Sequence, residues 1–423
     1  MGQGLIIAAP SSGAGKTTVT LALLRLLSRQ GIAVRGAKSG PDYIDPRFHE
    51  AACGRPCFNL DAWAMGPDRL RDLAAGDGTL IVEGAMGLFD GAPPDGKGSA
   101  ADLAKVLNLP VVLVVDAGRM AGSVAALVEG FANHDPAVRV AGVIFNNVGS
   151  DRHAHILKRV MAESAIPVLA YLLRDPSLVH PSRHLGLKQA FERTDLDAFL
   201  NKAADALAQT LDQTALMDLF ASLPAPAHEA NMPPPAQVIA MAQDTAFAFS
   251  YPHLLRDWRA AGAEIHVFSP LADDAVPKAD LIFLPGGYPE LHGGRLAAAD
   301  TFLSSLRKAA LNTDIYGECG GYMVLGDGLI DAEGTRHAMA GLLRLETSFE
   351  QRKLHLGYRD VTPLGGVFAT PLKAHEFHYA STLTSDGDAL FTACDAEGTE
   401  LPPMGLRLGR VSGSFAHVID MAS

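Results

Sequence analysis

Residues 4–20, GLIIAAPSSGAGKTTVT, constrain the fold more than any other stretch of the chain. A short apolar run enters a loop of small residues, and a lysine and two threonines then open a helical pattern. Glycines at 13 and 15 permit backbone conformations closed to other residues, so their N–H groups can turn inward on phosphate oxygens. Lys16 adds a point charge for the outer phosphates, and the Thr17 hydroxyl is placed to ligate Mg²⁺. The helix that follows aims its positive end at the same place. The usual phosphate-loop pattern begins with glycine where this chain has Pro10, but the strand–loop–helix context is intact. Gly13, Gly15, Lys16, Thr17 and Thr18 are therefore the expected nucleotide contacts, with ATP and Mg²⁺ as the bound species.

The same alternation continues along the chain. IAVRGAK, GTLIVEG, PVVLVVDAG, VRVAGVIFNNV and AIPVLAYL read as strands, with helical patterns such as 18–29 and 123–132 between them. Strands that are apolar throughout are buried on both faces, which predicts a parallel sheet covered by helices. Residues 195–220 read as helical. Ser222–Gln237, SLPAPAHEANMPPPAQ, then holds five prolines in sixteen residues and can continue neither a helix nor a central strand. QVIAMAQD, AEIHVFSP, ADLIFLPGG and TDIYGECGG restart the alternation beyond it. The expectation is α/β with two domains, each a mostly parallel sheet covered by helices: 1–221 around the phosphate loop, a linker over 222–237, and 238–423.

Composition narrows the function classes. A formal charge of −12 disfavours nucleic acid, which is gripped by basic surface. No apolar stretch reaches the ~18–20 residues of a membrane span, and the chain starts directly in a strand with no export signal. Four cysteines among 423 residues form neither a metal-type spacing nor a disulfide framework; Cys53 and Cys57 read as reduced thiols near a helix. A cytoplasmic protein acting on small molecules is expected.

Two further stretches lie at strand ends, where phosphate-loop enzymes keep their chemistry. AKSGPDYIDP supplies Lys38, Asp42, Tyr43 and Asp45, and LIVEGAMGLFDG supplies Glu83 and Asp90. Mg²⁺ takes one or two hard protein oxygens, with phosphate and water completing the shell; Thr17, Asp45 and Glu83 are the expected ligands. Asp116, ending VVDAG, is open between a nucleotide contact and a helix cap.

In the second half, YGECGGYMVLG places Cys319 on a strand-to-helix turn among glycines. A nucleophile on such a turn needs small neighbours, and the helix N-terminus is expected to lower the thiol pKa. LIFLPGGYPEL ends a strand in Gly286 and Gly287, whose N–H groups are positioned to serve an oxyanion. His417 in GSFAHVID, with His375 and His378 in HEFHYA, are the candidate bases.

Taken in order, APSSGAGKTTVT, KSGPDYIDP, VEGAMGLFDG, LPGGYPEL, ECGGYMVLG and HEFHYA resemble the cobyrinic or hydrogenobyrinic acid a,c-diamide synthase family across nearly the whole chain. That resemblance implies a domain like dethiobiotin synthetase joined to a class I glutamine amidotransferase domain. ATP would phosphorylate the c and then the a acetate of a corrin ring, and ammonia from glutamine would replace each phosphate. By the same resemblance Glu83 and Asp90 assist carboxylate activation, Lys38, Asp42, Tyr43 and Asp45 meet substrate, Cys319 is the glutaminase nucleophile and His417 activates it. The related folds suggest a homodimer, and ammonia, mostly protonated when free, calls for a shielded route between sites.

The chain departs from the pattern at one point. Class I amidotransferases usually carry glutamate two residues after the histidine; here that position is Ile419, followed by Asp420, and the second histidine often found in the family's tail is absent. Either the Cys–His pair suffices or Glu376 orients the base. The competing readings are cobyric acid synthase, a nickel-sirohydrochlorin or other tetrapyrrole amidase and, more distantly, a phosphate-loop switch or partitioning ATPase. Only an amidase would hydrolyse ATP in a glutamine-dependent way.

Overall fold

The computed structural model describes residues 2–178, 182–183, 186–187, 189–226 and 231–422. The chain divides into two compact units, Met1–Glu229 and Ala230–Ser423. Part of the proline-rich stretch 222–237, residues 227–230, lies outside the described residues.

In the first unit seven strands run parallel: β1 (Gln3–Ala8), β2 (Val34–Ser39), β3 (Phe58–Leu60), β4 (Thr79–Glu83), β5 (Val111–Asp116), β6 (Val140–Val148) and β7 (Val168–Leu173). Their order across the sheet is β3-β2-β4-β1-β5-β6-β7, with Ala221–Ser222 pairing antiparallel to β1. β1 is thus central and fully buried over Gly4–Ala8, as an all-apolar strand must be. Helix α1 (Lys16–Arg29) leaves its C-terminal end and lays Val19, Leu23 and Leu27 into the core beneath the sheet. Because β4 and β2 are its neighbours on one side, the ends of all three strands open onto the same rim. Register places Glu83 beside both Ile7 and Lys38. The helical stretch after 195 is two helices, Leu196–Ala208 and Gln213–Leu219; the break is set by Asp212, whose carboxylate caps the second helix at the Ala215 N–H, 2.9 Å away.

In the second unit a six-stranded sheet runs Glu264–Phe268, Val238–Ala242, Leu281–Leu284, Asp314–Glu318, Val411–Ser414, Leu406–Leu408. All its pairings are parallel except the last. The expected parallel sheet is present, but much of the chain beyond residue 327 forms two further sheets. One, of four strands, contains Arg344–Ser348 and Ser381–Asp386. The other, of five, pairs His355–Pro363, Leu372–His378 and Ala416–Met421 antiparallel. Among the described residues no helix is long and apolar enough to cross a membrane.

Candidate functional sites

The rim at the ends of β1, β2 and β4 encloses a cavity of about 500 Å³. Gly13 and Gly15 hold φ of +80° and +94°, and at Gly15 a β-carbon would come within 2.0 Å of the Asn146 side chain. Glycine is therefore required there on two counts. Lys16 lies over the loop, its Nζ reaching the Met86 carbonyl and standing 3.4 Å from that of Ser11. Burial, reinforced by nearby Lys38, pulls its pKa down to about 8 against the opposing pull of Glu83, Asp45 and Asp90.

Around it the acids form one network. Thr17 Oγ1 donates to Glu83 Oε1 at 2.6 Å and stands 3.5 Å from Asp45 Oδ2. Lys38 Nζ bridges Asp45 Oδ2 at 2.5 Å and Glu83 Oε1 at 2.9 Å, all three side chains being nearly sealed. Burial alone would raise the Glu83 carboxyl, but the Lys38 ammonium, His49 and the Thr17 hydroxyl hold it below the usual carboxylate range. Lys38 is held well above its ordinary value: burial would lower it, but the Asp45, Glu83 and Asp42 carboxylates prevail. Among the described residues Asp45 Oδ1 is buried with no hydrogen-bond partner, a costly arrangement for a carboxylate oxygen. Thr17, Asp45 and Glu83 are hard oxygen donors in one place, a set that suits Mg²⁺.

Of the residues singled out from sequence, Gly13, Gly15, Lys16, Thr17, Thr18, Lys38, Asp45 and Glu83 line this cavity. Asp42, Tyr43 and Asp90 are not among its lining residues. Asp42 Oδ1 accepts the N–H groups of Ile44 and Asp45 in the turn that leads into α2 (Asp45–Cys53); burial, with Asp45 beside it, lifts its pKa to about 6. Asp90 Oδ2 accepts the Gly87 N–H at 2.9 Å, and Tyr43 is packed at 6% exposure. Asp116 caps a turn at the Gly118 N–H and takes Asn147 Nδ2 at 2.9 Å. It lines an adjoining cavity with Arg119, Arg174 and Asp175, and Asn147 and Asp175 border both spaces.

Sequence reading missed three residues here. Asn146 Nδ2 donates to the Ala14 carbonyl at 3.0 Å and backs the phosphate loop, while Asn147 turns the chain at φ +57°; the Asn-Asn pair ending an apolar strand was the available signal. The third is His49. Fully buried on α2, it brings Nε2 to 2.7 Å from Glu83 Oε2 and Nδ1 to 3.4 Å from the Cys57 thiol. All four cysteines are free.

In the second unit Cys319 sits between Asp314–Glu318 and a short helix, Gly320–Leu325. Its backbone is held at φ +46°, ψ −104°, a strained conformation for a side-chain-bearing residue. Its N–H donates to the Ser414 carbonyl at 2.8 Å. Three residues beyond Ser414 comes His417, paired across the strands with His375. A β-carbon on Gly286 would fall 2.2 Å from His417 Cε1, and one on Gly320 would fall 3.0 Å from Gly287 N. The thiol turn, the Gly-Gly strand end and the histidine therefore meet at one corner, and only glycine permits so close an approach.

The expectation of a lowered thiol pKa is corrected. Cys319 is 3% exposed and packed in the apolar cluster of this unit; burial, with Glu290, Glu318 and Glu376 adding to it, pushes the thiol well up. A six-residue helix is too short to offset that cost. A thiolate at this position would need a base to form it. Burial, with His375 and His378 nearby, lowers the His417 pKa to about 3, so the ring is neutral, and taking up a proton there would call for a close counter-charge.

Both Glu376 oxygens are engaged elsewhere, Oε2 by Arg359 at 2.8 Å and Oε1 by His378 at 3.0 Å. His355, Glu376 and His378 offer ligand-type atoms within 4.8 Å of one another, but the arginine already neutralises their only carboxylate.

Comparison with known proteins accords with this geometry. Residues 5–187 match the model of the CobQ/CobB/MinD/ParA nucleotide binding domain, and 238–422 that of the CobB/CobQ-like glutamine amidotransferase domain. The chain is 54% identical to the hydrogenobyrinate a,c-diamide synthase of Brucella anthropi over 99% of its own length and 98% of the relative's. It is 54% identical to that of Rhizobium meliloti over 99% and 100%, and 51% identical to that of Rhodobacter capsulatus over 99% and 98%. With a phosphate-loop unit and a cysteine–histidine unit joined in one chain, and likeness of this extent, the protein belongs to the hydrogenobyrinate a,c-diamide synthase family.

Proposed function

We propose that this chain converts the a and c acetate carboxylates of hydrogenobyrinic acid to primary amides, using ATP and glutamine. The observation that carries the reading is full-length identity above one half to relatives bearing that name, in a chain that joins a phosphate-loop unit to a unit matching a glutamine amidotransferase domain.

A carboxylate is a poor acylating agent, and phosphorylation gives it a leaving group. That transfer calls for positioning and charge neutralisation more than covalent help from protein. Lys16 and the N–H groups of the Gly13–Gly15 turn receive the phosphates; Lys38 holds Asp45 and Glu83 in place through its two ion pairs. Thr17, Asp45 and Glu83 would hold Mg²⁺, which supplies charge neutralisation on the phosphates when bound. The adjoining cavity bordered by Asp116, Asn147 and Arg174 lies within reach of the rest of a nucleotide.

In the second unit His417 takes the Cys319 proton, and sulfur attacks the side-chain carbonyl of glutamine. Gly286 and Gly287 present N–H groups to the developing oxyanion. Ammonia leaves, and water releases glutamate from the thioester. Four free thiols and dependence on ATP support a reducing, cytoplasmic setting.

Mass spectrometry of the corrin after incubation with enzyme, ATP and glutamine tests the reading. Two amides gained on the metal-free ring are expected. No mass change on that ring, with glutamine-independent ATP hydrolysis, would overturn it.

A further inference from the structure

His417 lacks the acid that class I enzymes place two residues downstream, since Ile419 stands there. The fold brings another to it. Glu318 is the last residue of Asp314–Glu318 and pairs in register with Ser414. The chain turns after Ser414 and enters Ala416–Met421, so the residue before the nucleophile and the base are brought to one corner. Glu318 Oε2 lies 3.8 Å from His417 Nδ1, with both side chains almost fully buried. Its other oxygen accepts the Val418 N–H at 3.2 Å, which anchors the carboxyl against the strand that carries the base.

The chemistry makes that carboxyl necessary. When the Cys319 S–H bond breaks, its proton passes to His417 and a positive charge appears on a buried ring. His375 pairs with that residue across the strands and His378 lies nearby, and neither supplies a counter-charge. Glu376 also lies nearby, but is committed to Arg359 and His378. A buried cation without a close counter-charge is costly.

We propose that Glu318 is the positioning residue of the glutaminase site, holding His417 through Nδ1 and balancing the imidazolium it becomes. The inference rests on the reading of Cys319 and His417 as nucleophile and base. The proton comes from the Cys319 thiol, stays on the imidazole while sulfur adds to the carbonyl carbon, and leaves on the departing ammonia as the C–N bond breaks. The active form is the one in which Glu318 is ionised; in it the carboxylate keeps its charge through the step, and the pair shortens from ion-pair to hydrogen-bond distance as charge develops.

The role has a pH signature. Burial raises the Glu318 carboxyl to about 8, opposed by the Val418 N–H and Tyr316. Facing it are Tyr316 on its own strand, the Cys319 thiol beside it and His417 across the corner. The carboxylate form grows as pH rises through that value, so glutaminase turnover rises along the same limb.

Full-length Glu318→Gln and Glu318→Asp test this in a glutaminase assay, with ammonia-driven amidation as the control for folding. Glu318→Gln should lower glutaminase kcat about tenfold or more, leave KM for glutamine within about twofold, erase the alkaline limb and spare ammonia-driven synthesis. Glu318→Asp should recover part of kcat. Wild-type kcat with an unmoved limb in Glu318→Gln would overturn the proposal. Should that variant not fold, Glu318→Asp decides: lower kcat at unchanged KM with a displaced limb supports the role, and wild-type behaviour refutes it. Cys319→Ala separates the two levels. If it retains glutaminase activity the parent reading fails; if it is dead while Glu318→Gln is fully active, only the role of Glu318 fails.

Discussion

His49 Nε2 stands 2.7 Å from Glu83 Oε2, both side chains sealed from solvent, while Lys38 and Thr17 occupy the carboxylate's other oxygen. Glu83 is thus fixed from two sides, and α2, which carries both His49 and Asp45, sets the geometry of the acids at the phosphate rim. Replacing His49 by Ala leaves a buried carboxylate oxygen short of a partner, a loss of about 1–3 kcal/mol. The expected outcome is a lower Tm and reduced ATP-driven amidation with glutaminase activity preserved, read by thermal unfolding and paired assays. Unchanged Tm and synthesis would show that Glu83 does not depend on His49.

Lys16→Ala should cost ATP-driven amidation about 10²-fold or more while leaving glutamine hydrolysis measurable. In the free wild-type enzyme the Lys16 ammonium is lost as pH rises through about 8, so ATP binding should weaken across that range. The variant, having no such group, should show no corresponding change. Calorimetric titration at pH 7 and pH 9 compares the two; parallel behaviour would count against the phosphate-loop assignment.

The stability that His417 and His375 lend the second unit should fall on acidification, against the opposite trend of Glu318 and Glu290, whose carboxyls burial raises to about 8. His417 and His375 have pKa values lowered by burial to about 3 and about 4, against ~6.5 in an unfolded chain. Between those limits the unfolded state binds more protons at these two positions, so their contribution is fully present above about pH 6.5. It is lost as pH drops, at up to about 1.4 kcal/mol per pH unit per group. The Tm of His417→Gln relative to wild type should therefore rise between pH 7 and pH 5, as the variant lacks this loss. An identical slope would mean that His417 is not buried neutral.

Most parallel strands of both units were legible because they are short, largely apolar and bounded by glycine, proline or aspartate; Val411–Ser414, with its two serines and a glycine, was not. β3 escaped notice, since three residues at a sheet edge carry no periodic signal. The antiparallel sheets of the second unit escaped for the opposite reason: Ser381–Asp386 is almost wholly exposed and His355–Pro363 mostly half-buried, so neither strand shows an apolar run. At the sites, the loop glycines, Lys16, Thr17 and Cys319 follow from local pattern. Glu83 and Asp45 follow from strand ends in that context. His49 does not, because its role arises from the packing of α2 on β2, where a β-carbon on Gly36 would touch its ring at 2.9 Å. The raised thiol pKa of Cys319 was equally invisible, since it depends on burial among residues distant in sequence.

Cys319→Ala assayed for amide formation on the ring, with glutamine and then with ammonium salt as nitrogen source, tests the division of labour between the two units most directly. The account predicts that product with glutamine falls by about 10³-fold or more, while ATP-driven product with ammonia stays close to wild type. Undiminished synthesis from glutamine, or equal loss with both nitrogen sources in a folded variant, would contradict it.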